Sequence, residues 1–160
     1  MLEVLTVDPQ GEDALTLLRE AALEASKLYP EYHDPSAAGP SNSPNAPRGV
    51  YLVAYLDSRP VGMAAHRPLD ENTTEVRRMY VKTSQRRAGI ARELLLRIEE
   101  HASSQGFRFL VLETGNRQIP AIQLYLNFGF TRIAPFGAYK NDPTSVCFRK
   151  LIRRGEASAA

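Results

Sequence analysis

The chain has a single cysteine, Cys147, in 160 residues. It cannot close a disulfide within itself, and no Cys/His spacing resembles a zinc site. The three histidines, 33, 66 and 101, lie far apart in sequence, so no metal is expected. No run of about eighteen apolar residues occurs, and no membrane span is expected. The opening MLEVLTVDPQ lacks the basic-then-apolar pattern of a secretory signal. A reducing, cytoplasmic location follows as the default. Neither a Gly-x-x-x-x-Gly-Lys-Ser/Thr loop nor a Gly-x-Gly-x-x-Gly turn is present, which argues against those two phosphate-binding folds. Net charge is only +2, so there is no global field for nucleic acid.

What is present is an ordinary globular composition, 43% hydrophobic and 24% charged, with no internal repeat. The length suits one domain, expected over residues 1–152, with 153–160 (RRGEASAA) as a frayed tail. Basic residues cluster locally, at Arg77, Arg78, Lys82, Arg86, Arg87 and Arg92. That focus fits a small polyanion better than a polymer.

The chain is organised around Glu75–His101, EVRRMYVKTSQRRAGIARELLLRIEEH. The β-favouring Met79, Tyr80 and Val81 close a strand. Ile90/Ala91, Leu94/Leu95, Ile98 and Ala102 recur at helical spacing. Between them lies Arg86-Arg87-Ala88-Gly89-Ile90-Ala91. A helix start leaves N–H groups unpaired and carries partial positive charge. Small residues at 88, 89 and 91 let an anion approach, and Arg86, Arg87 and Arg92 add charge. A phosphate or diphosphate is the expected ligand.

Around this stretch the pattern predicts a strand at Leu2–Val7 and a helix at Gly11–Tyr29, striped by Leu15, Leu18, Ala22 and Ala25 and stopped by Pro30. A Pro/Ser/Asn/Gly-rich segment follows, functional or mobile at that length. Its Tyr29, Tyr32 and His33 either line a pocket or anchor a surface loop. Val50–Leu56 and Val61–His66 read as a hairpin about an Asp57–Pro60 turn. A turn at Asp70–Asn72 leads to the strand Thr74–Val81. Gly106 caps the long helix. Phe107–Glu113 is a buried strand, Gly115–Gln118 a loop, and Pro120 opens a helix that ends at Gly129. Phe130–Ala134 and Ser145–Leu151 are the last strands.

Three stretches together resemble the GNAT-superfamily N-acetyltransferases, and the likeness covers nearly the whole chain. Arg86-x-x-Gly89-x-Ala91 resembles the acyl-CoA loop, with EVRRMYV before it and an amphipathic helix after. Ala121-Ile122-Gln123-Leu124-Tyr125 followed by Phe128-Gly129-Phe130 resembles the helix-to-strand signature. ETGNRQ, RIAPFGAY and DPTSVCF resemble a bacterial subgroup of uncharacterised members. The resemblance implies an α+β fold, with a mixed, mostly antiparallel twisted sheet flanked by helices. Its central strands Thr74–Val81 and Phe107–Glu113 would splay around acetyl-CoA. It further implies acetyl transfer to an unidentified primary amine in a ternary complex, and by analogy a homodimer.

By the same resemblance, Met79, Tyr80 and Val81 would hold the pantetheine arm and thioester carbonyl with backbone groups. Arg86, Arg87, Ala88, Gly89, Ile90, Ala91 and Arg92 would cradle the diphosphate. Gln118 stands where many members have a cofactor-contacting asparagine, and Ala91 replaces the commoner second glycine. Tyr125 matches the tyrosine that protonates the departing thiolate, the role preferred over that of a core tyrosine spaced from Ala121 and Ile122. Glu75, eleven residues before Arg86, matches a general base; an exposed carboxylate paired with Arg77 is the other reading. His33 and His66 read as surface or satisfied core groups, and Cys147 as a small buried strand residue. Phe136 and Tyr139 either shape the acceptor pocket or form a packed corner. The alternative function is a non-catalytic acyl-CoA binding or sensing module, which needs neither Tyr125 nor Glu75.

Overall fold

In the computed structural model, residues 1–153 are described; 154–160, most of the expected tail, lie outside them. The strands are β1 (Leu2–Thr6), β2 (Val50–Leu56), β3 (Arg59–Pro68), β4 (Thr73–Val81), β5 (Phe109–Gly115), β6 (Thr131–Ile133) and β7 (Ser145–Leu151). The helices are α1 (Glu12–Leu28), α2 (Ile90–Ser104) and α3 (Ile119–Phe128). The strands form one sheet in the order β1-β2-β3-β4-β5-β7-β6. Only β4 and β5 pair in parallel. Parallel neighbours need a crossover, and α2 supplies it. The α+β, mostly antiparallel architecture is as expected. Among the described residues no helix is long and apolar enough to cross a membrane.

Each sheet face carries its own core. Leu94, Leu95 and Ile98 of α2 are fully buried on one face with Leu110, Leu112, Tyr125 and Phe148. Each such aliphatic side chain contributes about 1.5–3 kcal/mol. On the other face α1 packs Ala14, Leu17 and Leu18 against Tyr51, Val53 and Met63. The stripe expected on α1 is thus displaced: Leu18 is buried, but Leu15 and Ala22 are only half-buried and Ala25 is exposed. Ala14, Leu17 and Leu18 have helical spacing too, and small Ala14 lets the helix sit close to the sheet.

Two other boundaries move for local reasons. Asp57 and Ser58 both have positive φ, 48° and 68°, so the hairpin turn is two residues long and β3 begins at Arg59. Pro60 is tolerated inside β3 because it pairs at an irregularity beside Tyr55, where a missing N–H costs little. Phe107 precedes β5 rather than starting it. Its N–H bonds the Ala102 carbonyl and that of Gly106 (φ 86°) bonds Ser103, the two bonds of a Schellman helix end. Gly115, expected in a loop, is the last residue of β5.

The long segment before β2 is pinned at Arg48, which donates to the Gln105 and Glu71 carbonyls, and at Asn42. The Asn42 amide is 8% exposed; its Nδ2 donates to the Pro9 carbonyl (2.8 Å) and to the Tyr51 hydroxyl (3.1 Å). Its Oδ1 accepts from Arg78 Nε at 2.9 Å. A second buried polar group sits on the α2 face. His66 Nε2 lies 2.8 Å from His101 Nδ1, and His66 Nδ1 lies 2.7 Å from Thr74 Oγ1. Burial, then the neighbouring His101, push His66 down to about 3.

Two tests follow from these groups. Asn42→Ala removes one hydrogen bond each from the Arg78 guanidinium, the Tyr51 hydroxyl and the Pro9 carbonyl, and should cost about 1–3 kcal/mol by urea unfolding. His66 is neutral when folded and protonates near 6.5 when unfolded. The unfolded chain therefore binds the extra proton below that pH, and stability must fall as pH drops from about 6.5 towards 3, by at most about 1.4 kcal/mol per pH unit from this ring. Urea unfolding between pH 7.5 and pH 5 measures the slope; no loss over that range would contradict a buried neutral ring.

Candidate active site

The site begins where β4 and β5 part. They pair only at Thr73–Phe109, Thr74–Leu110 and Glu75–Val111. Beyond Glu75, β4 runs on to Val81 and β5 to Gly115 with no further pairing between them. The edge of β4 that would face β5 is left open over that stretch. A bulge makes the parting possible: β3 advances two residues from Met63 to Ala65 while β4 spans three, from Tyr80 to Arg77. Arg78 takes the extra position with φ 60°, a conformation uncommon outside glycine. Its guanidinium donates to Asn42 Oδ1 and to the Ser41 carbonyl (3.2 Å), so the strap before β2 holds the bulge in place. Past the bulge, Tyr80 faces the α1 core while Met79 and Val81 face the α2 core.

At the far end of β4 the chain turns through Thr83–Gln85 into α2. Arg87 and Gly89 have φ of 64° and 79°. The N–H groups of Arg87, Ala88, Gly89, Ile90, Ala91 and Arg92 make no backbone hydrogen bond among the described residues; the first donor committed at this end of α2 is Glu93, to the Gly89 carbonyl. A side chain added at Gly89 would meet no atom within 4 Å. Free donors, open space and the helix dipole together suit a diphosphate. Arg87 and Arg92 are exposed. Arg86 differs from the expectation of a free charge: it pairs with Glu24 of α1 at 2.7 Å and its Nε donates to the Val81 carbonyl.

Glu75 is 7% exposed, which rules out the exposed-carboxylate reading. Its Oε2 accepts from the Tyr139 hydroxyl at 2.8 Å, and Arg77 forms no ion pair with it. Tyr139 stands edge-on to Phe136, so the FGAY segment is a packed corner that also reaches Glu75. Across the opening, Glu113 accepts from Ser145 Oγ at 2.6 Å. Burial holds its carboxyl above the usual range, and the Asp142 and Glu75 carboxylates push the same way against the Ser145 bond. Sequence reading missed Glu113; the only signal was its place two residues past the last β4–β5 pair.

Tyr125, on α3, is 5% exposed and packs edge-on against Phe130. Its hydroxyl has no hydrogen-bond partner among the described residues. Burial, then the charge of Glu113, raise its pKa, so it holds its proton. Gln118 is half-buried as the residue preceding α3. Of the early aromatics, Tyr32 and His33 are exposed. Tyr29 is an anchor: its hydroxyl accepts from the Arg117 N–H at 2.8 Å, and a Cβ at Gly115 would lie 2.0 Å from that oxygen. Cys147 is fully buried.

Comparison with known proteins identifies the family and the fold. The family model of the acetyltransferase (GNAT) family matches residues 15–130. An IAA acetyltransferase of Azospirillum brasilense is 45% identical over 103 residues, 64% of this chain and 67% of that protein. A Klebsiella pneumoniae protein named as a candidate acyl-CoA N-acyltransferase superposes with a TM-score of 0.77 at 27% identity, covering 96% of this chain and 99% of that one. A GNAT family acetyltransferase from Elizabethkingia anophelis, solved with acetyl-CoA bound, does so with a TM-score of 0.67 at 18% identity, covering 94% and 97%. The chain belongs to the acetyltransferase (GNAT) family. It is an acyltransferase.

Gly89→Ala tests the loop. It forces a Cβ into a left-handed position, at about 1 kcal/mol, and fills the open approach. Acetyl-CoA should bind about tenfold more weakly by calorimetry, with little change in melting temperature.

Proposed function

We propose that the protein acetylates a primary amine by direct attack on acetyl-CoA in a ternary complex. The observation that carries the reading is the unpaired gap past Glu75, which has free N–H groups at one end and two carboxylates beside it. In this reading the loop N–H groups from Arg87 to Arg92, with the Arg87 and Arg92 charges, hold the diphosphate; the Arg86 N–H is already given to the Thr83 carbonyl. The open backbone edge at Met79, Tyr80 and Val81 aligns the pantetheine arm and donates to the carbonyl oxygen as it becomes an oxyanion, worth about 3 kcal/mol per donor. Gln118 borders the cofactor.

Acetyl-CoA supplies an activated carbonyl with a thiolate leaving group. A free amine with a pKa of about 8–10.4 is mostly protonated at pH 7 and cannot attack until it loses a proton. Glu75, fixed by Tyr139, takes that proton directly or through a water. The nitrogen bonds to the carbonyl carbon, the carbon–sulfur bond breaks, and the thiolate is left near Tyr125. The uncommitted Tyr125 hydroxyl meets it as a hydrogen-bond donor and acid. The raised pKa of Tyr125 keeps it protonated through the whole neutral range. No covalent enzyme intermediate is required, so Cys147 has no part in the chemistry. We place the reaction in the cytoplasm, where the single thiol stays reduced.

Tyr125→Phe keeps the packing and removes the donor. It should lower kcat by about a hundredfold or more while leaving acetyl-CoA affinity unchanged; unchanged turnover removes the acid role. Glu75→Gln should abolish the acidic limb of the pH–rate profile, and a profile identical to that of the parent enzyme would exclude it as base.

A further inference from the structure

Beside Glu75, on the α1 face of the sheet, is a cavity of about 130 Å³ between the 42–46 strap and strands β3 and β4. Its lining includes Arg67, Arg77 and Arg78, with Asn42, Ser43 and Asn45. We propose that this cavity holds the carboxylate of the acceptor, so that the enzyme acetylates a small aminocarboxylate, of the size of a free amino acid, rather than a purely cationic amine. This rests on the acetyl-transfer reading above and specifies its acceptor.

Three features support the assignment. First, the arginines are not equivalent. Arg78 is spent on Asn42 and Ser41. Arg67 and Arg77 form no ion pair among the described residues, and Arg77 is half-buried. A half-buried guanidinium outside any ion pair is matched by a carboxylate, which its planar fork can bind through two hydrogen bonds. Second, the spacing suits one small molecule. Glu75 and Arg77 lie two apart on one strand and point to the same face, about 7 Å between their Cα atoms. Tyr139 feels both: its hydroxyl is bonded to Glu75, and Arg77 acts on it in the opposite sense to the carboxylates. The amine of an aminocarboxylate at Glu75 therefore brings its carboxylate to Arg77. Third, the volume admits a few heavy atoms, near that of a cavity that takes benzene at about 150 Å³. The strap that roofs it is fixed by Asn42 rather than loose.

The test is an acceptor screen read by CoA thiol release at saturating acetyl-CoA. Each L-amino acid is set against the amine formed from it by decarboxylation, with parent enzyme, Arg77→Gln and Arg67→Gln. The expected result is at least one pair in which the amino acid is favoured tenfold or more in kcat/KM. Arg77→Gln should bring that ratio near one by raising the acceptor KM, with the KM for acetyl-CoA and the melting temperature unchanged. Arg67→Gln should lower the ratio in the same direction, which keeps the test open if Arg77→Gln does not fold. Decarboxylated amines turned over as well as or better than the amino acids would overturn the subsite and leave acetyl transfer standing, as would a preference that survives both substitutions. Acetyl-CoA binding by calorimetry with neither class acetylated would overturn both.

Discussion

The site depends on a register that stops. β4 and β5 are parallel neighbours whose ladder ends after three pairs, and beyond Glu75 each strand keeps only its outer partner. Unpaired backbone in the middle of a sheet is costly unless something else satisfies it. Here the bulge at Arg78 bends β4 away, and the Asn42–Arg78 bond holds the bend. The gap is therefore built and held by groups outside it, which leaves its own donors available. A left-handed arginine in a strand is a stored strain of about 1–3 kcal/mol, and it sits beside the functional opening.

The two ends of the gap do different work for different physical reasons. At the α2 end the attraction for an anion comes from main-chain N–H groups and a helix dipole, and the only requirement on side chains is that they be small. At the Glu75 end the polar groups are side chains: a buried carboxylate, Glu75, and a half-buried one, Glu113, lie with Tyr139 on the α1 side and Tyr125 on the α2 side. Burial raises both phenols and Glu113, which favours the protonated form of each relative to water.

Much of this was legible in the sequence where the signal is local. The α2 stripe at Ile90, Leu94, Leu95, Ile98 and Ala102 is the buried face observed, because four turns of one period leave little choice. β2 and β7 fall within the expected bounds. Gly106 and Gly129 cap their helices in left-handed conformations. The α1 stripe slipped because apolar residues occupy two adjacent faces and only the sheet decides between them. The remainder was long-range. Nothing near Asn42 announces Arg78 and Tyr51, 36 and 9 residues away, as its partners. Glu75 could not be told from a surface carboxylate until Tyr139, 64 residues on, was seen to cover it. Glu113 looks like any strand glutamate until the gap beside it is known.

The opening belongs to a sheet whose shape survives replacement of most side chains. That is consistent with a Klebsiella relative sharing this shape at 27% identity and an Elizabethkingia one at 18%. Drift is then free to act on the walls of the cavity under the 42–46 strap while the sheet is left intact. Descendants of such a scaffold would diverge in what they modify long before they lose what they modify it with.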